Sequence, residues 1–379
     1  MPMLFFALFF SLLIAFLGFL GLSDRIQLLV DLPRGFSYFI FSFRIPLILL
    51  GMIAFLFAVY EGIPVLPKVF LAIYLLLFGY MFFVGYILQP YLMYPSKQYG
   101  ARYVSIDNTR AQLSPEESCL VYFSPEGAAV AFPISWVTRT RIVGISLEGK
   151  EFVMTYCILA HLGRVYFSQV EGKKIKFRVL NQLENNLVLF DENSQQLIEH
   201  IYGVFARSRK ALEQAPCIVM PFQSFQALYP YGMVYFNPPG KGIWDKIVRN
   251  SLNRILHKAG GHLDSSNSDA AYPTIGYIDQ RIPSKELVYG IHIANQAIAF
   301  TLEYIRSQGD CVFDTLGNQS FTLKYFPEHK FVDVFEGDVP DVDAKGFLVD
   351  GHKAERIPHA NQVVWLIWSH FYPHTELRS

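Results

Sequence analysis

The chain has 379 residues, room for more than one domain at roughly 150 residues each. Its 32 Lys+Arg balance 32 Asp+Glu, so no net field points to nucleic acid as a partner. Charged residues make up only 17% and apolar residues 52%, far from the roughly 25% charged share of an ordinary soluble domain.

The apolar excess sits at the N terminus. "MLFFALFFSLLIAFLGFLGL" (Met3 to Leu22) is uncharged throughout. A second run, Ile45 to Tyr60, extends to Pro67 with Glu61 inside it, and Val69 to Leu88 is a third. Each is about the length of helix that crosses a bilayer. The first lacks the basic start and small-residue cleavage site of a signal peptide. We expect three membrane helices within residues 1–95 and a multi-pass protein of the cell membrane, with the lipid bilayer as its first partner. Arg25, Arg34 and Arg44 in the first connection and Lys97, Arg102 and Arg110 after the third helix outweigh Lys68 in the second. The basic-residue rule puts both heavier segments on the cytoplasmic side.

From about Tyr94 the pattern changes to short alternating runs broken by Gly, Pro and Asn, which predicts a mainly antiparallel β, α+β domain. Within it the sequence repeats. "AAVAFPISWV" (Ala128 to Val137) aligns with "QAIAFTLEYI" (Gln296 to Ile305), and "CLVYF" with "ELVYG" upstream. Phe152, Met154 and Tyr156 match Phe321, Leu323 and Tyr325, and "FQSFQALYP" matches "WLIWSHFYP". The same order in both places reads as an internal duplication, with repeats at 96–238 and 277–379. "GRVYFSQVEGKKIKFRVL" predicts a hairpin turning at Glu171-Gly172, and "SQQLIEHIYGVFARSRKAL" a helix. Between the repeats, at 239–276, "KGIWDKIVRNSLNRILHK" predicts a basic amphipathic helix docked on the β domain, with a membrane-interface position as the alternative.

Cys119, Cys157, Cys217 and Cys311 form no C-x-x-C pair and no zinc spacing, so we expect no metal. In "TYCILAHLGR", Cys157 ends a strand and His161 follows in a turn that could return it to the thiol. This pair, with Asp191 as a facing carboxylate, is the catalytic candidate, because a thiolate nucleophile needs a neighbouring base. Arg164, Asp279 and Arg281 are the ligand-binding candidates, although Asp279 and Arg281 also read as a structural ion pair beside Pro283. "DVDAKG" imitates a calcium loop but fails at Lys345 and His352. No nucleotide or hydrolase motif occurs, and the sequence names no cofactor. Two functions follow from this reading. One is a membrane-anchored β-rich domain that binds a small-molecule ligand or protein partner. The other is a thiol- or metal-dependent enzyme centred on Cys157.

"YIDQRIPSKELVYGI", with "AVAFPISWV", "TYC", "GRVYF", "LVLFDENSQQLIEHIYG" and "WLIWSHFYP", resembles the bacterial and archaeal family called domain of unknown function 3179. The resemblance runs from about Ser105 to the C terminus and implies no settled activity. Where the family shows Y-C-P-L-C, this chain has Ala160 in place of the second cysteine, and a family tryptophan is missing after Asp191. A two-cysteine chemistry is therefore lost here or taken over by His161. The resemblance also implies export, against the basic-residue rule.

Overall fold

Unbroken Leu, Phe, Ile and Ala from Pro2 to Leu22 form one 21-residue helix. Arg44–Gly62 and Lys68–Phe82 form two more, the last continuing as a π-helical stretch, Phe83–Leu92, around Pro90. All three are long and apolar enough to cross a bilayer. Their neighbours are met through small residues: a Cβ added at Gly85 would lie 2.4 Å from the Gly18 carbonyl carbon. Phe5, Phe6, Phe9, Leu49, Ile53, Leu56 and Leu76 point outward, so the outside of the bundle is as apolar as its inside.

The structure is a computed structural model and describes residues 1–379 apart from 28, 31, 125, 139, 239, 241–273 and 277. The basic amphipathic helix expected between the repeats falls almost wholly on 241–273 and lies outside the described residues.

After the helices come small, mostly antiparallel sheets arranged in a propeller-like ring. The first holds Tyr103–Ser105, Met233–Tyr235, Ala129–Pro133, Ser118–Phe123 and Cys217–Pro221 in that order. The second runs Gln214–Ala215, Leu162–Phe167, Lys150–Cys157, Ile142–Leu147, and the third Val204–Phe205, Leu197–Glu199, Asn186–Asp191, Phe177–Leu183. The fourth runs Ala360–Val364, Leu287–Ile293, Gln296–Thr301, Glu376–Arg378, and the fifth is the meander Cys311–Leu316, Gln319–Phe326, Phe331–Glu336. Shared apolar cores close the circle. Tyr122 and Met154 join the first sheet to the second, and Tyr166, Leu189 and Val363 join second, third and fourth. Ile298 and Leu323 join fourth to fifth, while Phe331 and Phe123 return to the first. The Glu171-Gly172 hairpin forms as expected, with φ of +49° and +75° at its two turn residues.

The bounds of the second and fifth sheets are related by one constant step. Cys311–Leu316, Gln319–Phe326 and Phe331–Glu336 each begin 169 positions after Ile142–Leu147, Lys150–Cys157 and Leu162–Phe167. Pairing follows: Met154 faces Val143 and Val165, and Leu323 faces Val312 and Val334. Helices Phe222–Leu228 and Trp365–Phe371 each lead to a short strand running parallel to Ala129–Pro133 or Gln296–Thr301.

Two sequence expectations are corrected. Ser194 to Leu212 is not a helix. Leu197–Glu199 pairs with Val188 to Phe190, and Val204–Phe205 pairs with Leu197–Glu199 beyond a turn at Gly203. The i, i+4 apolar spacing of Leu197, Ile201 and Phe205 is met by strand, turn and strand as well as by a helix, and the open sheet edge decided between them. The "CLVYF" alignment also slips. Val121 pairs with Ala131 and Gly290 with Ala299, two positions away from the alignment of the two runs. A two-residue slip keeps every side chain on its face, so the apolar pattern cannot report it.

The helices dock chiefly on the third sheet. Ile14, Leu22, Phe41 and Tyr86 share one core with Leu180, Val188 and Phe190. Asp24, buried, accepts from the Tyr94 hydroxyl and, at 2.8 Å, from the Gln182 backbone N–H. Arg34 reaches Glu184 and Glu199 from the short helix Arg34–Ser42.

Candidate functional site

Tyr156 and Cys157 end the strand Lys150–Cys157, so their side chains leave on opposite faces. Cys157 packs into the core shared by the second, third and fourth sheets, and Tyr156 into the core shared by the first and second. The Cys157 thiol donates to the Asn185 carbonyl at 3.8 Å and has no exposed surface. Burial pushes its pKa up, which withholds the thiolate a nucleophile requires. His161 takes a left-handed φ of +52° between the two strands and is bonded to Tyr156 instead, hydroxyl to Nδ1 at 3.0 Å. The turn brings the histidine back, but to the tyrosine and not to the thiol.

Maleimide labelling of the native chain is expected to modify half-buried Cys311 first and to spare Cys157 until unfolding. Protection should be about five-thousandfold, as for a site opened only by global unfolding at about 5 kcal/mol. Rapid native labelling of Cys157 would show an accessible thiol.

His161 belongs to a polar file that crosses the ring. Its ring also interacts with Gln362, whose Nε2 donates to the Tyr289 hydroxyl at 3.2 Å. Burial holds the imidazole down at about 4. The unfolded chain takes up this proton near the ordinary 6.5, whereas the folded chain does so only near 4. His161 therefore leaves stability unchanged above pH 6.5 and removes up to about 3 kcal/mol as pH falls from 6.5 to 4. The His161→Gln variant, unfolded by urea between pH 4 and 7.5, should show a flatter profile than the parent. Parallel profiles would contradict the assignment.

Asp191 is a turn residue. Its carboxylate accepts backbone N–H groups of Lys176, Asn193 and Ser194 at 2.9, 3.1 and 3.0 Å. Asp279 and Arg281 pair locally at 2.8 Å, which lowers the Asp279 pKa, and Arg281 also donates to the Thr375 carbonyl and lies over Trp365. This is the scaffold joint that Pro283 suggested. Arg164 is buried elsewhere, donating to Gln214 Oε1 and the Ile201 carbonyl. The six candidates thus do not form one site. The "DVDAKG" loop satisfies itself, Asp343 accepting from Lys345 and Phe347 N–H at 2.8 Å each. Among the described residues no three His, Cys, Asp or Glu side chains are placed to hold a metal.

Residues missed in the sequence line the ring interior. A small cavity of about 30 Å³, room for one or two waters, is walled by Gly163, Cys217, Tyr289, Asp333, Arg356 and Gln362. Asp333 and Arg356 form a buried ion pair of 2.7 Å, their side chains 1% and 4% exposed. Arg356 and Pro216 also line a cleft of about 510 Å³ that opens between the first and second sheets. Tyr122, Phe152 and Phe167, with successive ring centroids 4.8 Å apart, form an aromatic wall of that cleft, and Lys150, Glu213, Lys353 and Glu355 line the rest. One signal was present: Asp333 is the lone charge inside the apolar strand "FVDVF".

The chain belongs to the family described as Protein of unknown function (DUF3179), whose model matches residues 99–375. No curated protein and no solved structure matches it.

Proposed function

We propose, from that membership and this geometry, that the chain is an integral membrane protein whose ring binds a small ligand or partner at the bilayer surface. The observation that carries this reading is the core shared by the helices and the third sheet, which fixes the ring to the bundle. The outward apolar side chains of the three helices suit lipid rather than water. The cleft has the size of an ordinary ligand site, within the roughly 300–1,000 Å³ range, and combines aromatic wall with charged rim. The buried, hydrogen-bonded Cys157 favours binding over thiol catalysis.

Constant spacing between the second and fifth sheets supports a gene duplication as the origin of the ring. An experimental structure in which residues 142–167 and 311–336 differ in strand order would remove that origin.

Membranes carrying the full chain, washed at alkaline pH, are expected to retain it in the pellet, because three spans far exceed peripheral attachment. Release into the supernatant would end the reading. Protease added to sealed vesicles of known orientation then assigns the side of the ring.

A further inference from the structure

Gly144 lies on the strand Ile142–Leu147, and no side chain fits there. An added Cβ would lie 1.8 Å from the Gln98 carbonyl oxygen. The chain that leaves the last membrane helix is laid over this strand and fixed to it. Lys97 N–H donates to the Ile142 carbonyl at 2.9 Å, and Gly144 N–H to the Lys97 carbonyl at 3.0 Å. Both ends of the Gln98 amide are used as well. Its Nε2 donates to the Ile175 carbonyl at 2.7 Å, and its Oε1 accepts from Phe177 N–H at 2.8 Å. The segment is a rigid roof held by four hydrogen bonds.

Under it lies a cavity of about 270 Å³. A cross-strand row of polar residues lines the floor. Ser146 pairs with Glu151, and Ser168 N–H donates to the Glu151 carbonyl at 3.0 Å. Residues paired across a ladder share a face, so two hydroxyls flank one carboxylate. Ser168 is 5% exposed, yet its Oγ has no hydrogen-bond partner. A buried hydroxyl left in this state is costly unless something else in the cavity bonds to it. Tyr99, on the roof segment and exposed, adds an aromatic ring to the lining.

The fold does not demand this arrangement. Gly337 N–H donates to the Ser320 carbonyl at 2.9 Å, so Ser320 and Gly337 stand 169 positions on where Glu151 and Ser168 stand here. Phe313, with an exposed side chain, takes the place of Gly144. The second meander has the same strands without the polar row and without room for the roof.

The charges narrow the ligand. No Lys, Arg or His lines the cavity, so an anion would meet no cation. Its one charge, Glu151, already has Lys174 Nζ at 2.9 Å, so a cation would meet a neutralised acid. What remains is hydrogen bonding: the carboxylate only accepts, whereas each serine hydroxyl both donates and accepts. The volume falls just below the roughly 300–1,000 Å³ of drug-sized sites, which suits one six-membered ring.

We propose that Gln98–Ala101, Ser146, Glu151 and Ser168 enclose a binding site for a neutral polyhydroxylated ring, a monosaccharide or cyclitol. Ring hydroxyls donate to Glu151 and complete the Ser168 Oγ, and Tyr99 covers the apolar C–H side of the ring. The site is separate from the aromatic cleft, which neither Tyr99 nor Ser168 lines. Its outcome is therefore independent of the reading of that cleft.

The test uses the full chain in a detergent without a sugar headgroup, with glucose, galactose and myo-inositol as probes read by saturation-transfer NMR. Saturable binding of at least one probe is expected, with a Kd of about 1 mM or tighter. Glu151→Gln should weaken it at least about tenfold, since the acceptor loses its charge. Ser168→Ala should weaken it at least about threefold, as for one neutral hydrogen bond. Should either variant fail to fold, Tyr99→Ala decides, because that exposed ring is not part of any core, and a loss of at least about threefold is expected from it too. Absence of saturable binding by all three probes, or folded variants that bind as the parent does, would overturn the site.

Discussion

Asp333→Ala is expected to cost about 3–5 kcal/mol of folding stability, because it leaves Arg356 charged, buried and unpaired. Arg356 has few alternatives. Its Nη2 donates to the Lys345 carbonyl at 3.2 Å, and its guanidinium lies over Phe123 at 4.5 Å, so it cannot turn to water without breaking the wall of the cleft. The double variant Asp333→Leu with Arg356→Met removes both charges at similar volume and should recover most of the loss, since paired buried ions are often matched by apolar residues of their shape. Urea unfolding, in detergent, of the parent, the single variants Asp333→Leu and Arg356→Met and their double variant gives the coupling directly. A single-variant loss below about 1 kcal/mol would mean that the pair is hydrated and carries little.

Trp365→Ala should be comparably severe, about 3–5 kcal/mol, as for other fully buried aromatics. The indole has no exposed surface and begins the helix Trp365–Phe371. It belongs to the core that joins second, third and fourth sheets. Its Nε1–H donates to the Asp279 carbonyl at 3.2 Å, and Arg281 covers its face. Removing it opens a cavity and also frees the 279–284 segment, so hydrogen exchange there should rise before global unfolding does. Trp365→Phe keeps one six-membered ring but loses the pyrrole part and its hydrogen bond, and a smaller loss is expected from it, about 1 kcal/mol for the bond plus a share for the smaller cavity. Equal losses from both variants would mean that the six-membered ring which Phe retains contributes nothing to the packing.

These two sites show how much of the molecule was legible. The family and the β-rich region from its alternating runs were readable, because burial on one face imposes a local period. The ion-pair reading of Asp279 and Arg281 was readable too, two residues apart in a segment stiffened by Pro283. The Asp333–Arg356 pair was not, although the lone acid in "FVDVF" marked one half of it. Its partner lies 23 residues on, beyond a long loop, and nothing local links them.

The sequence by itself determined what depends on near neighbours. Long uncharged runs set the three helices, alternation set the strands, and Glu171-Gly172 set its turn. Tertiary structure decided what depends on distant partners. Leu197–Glu199 became a strand because the edge beside Val188 to Phe190 was open. Cys157 and His161 parted because the strand's pleat sent Tyr156 to the opposite face and the turn delivered the imidazole to its hydroxyl. Spacing along the chain limits which residues can meet. Which of them do meet depends on the faces and edges that other segments leave free, and a sequence read locally does not contain these.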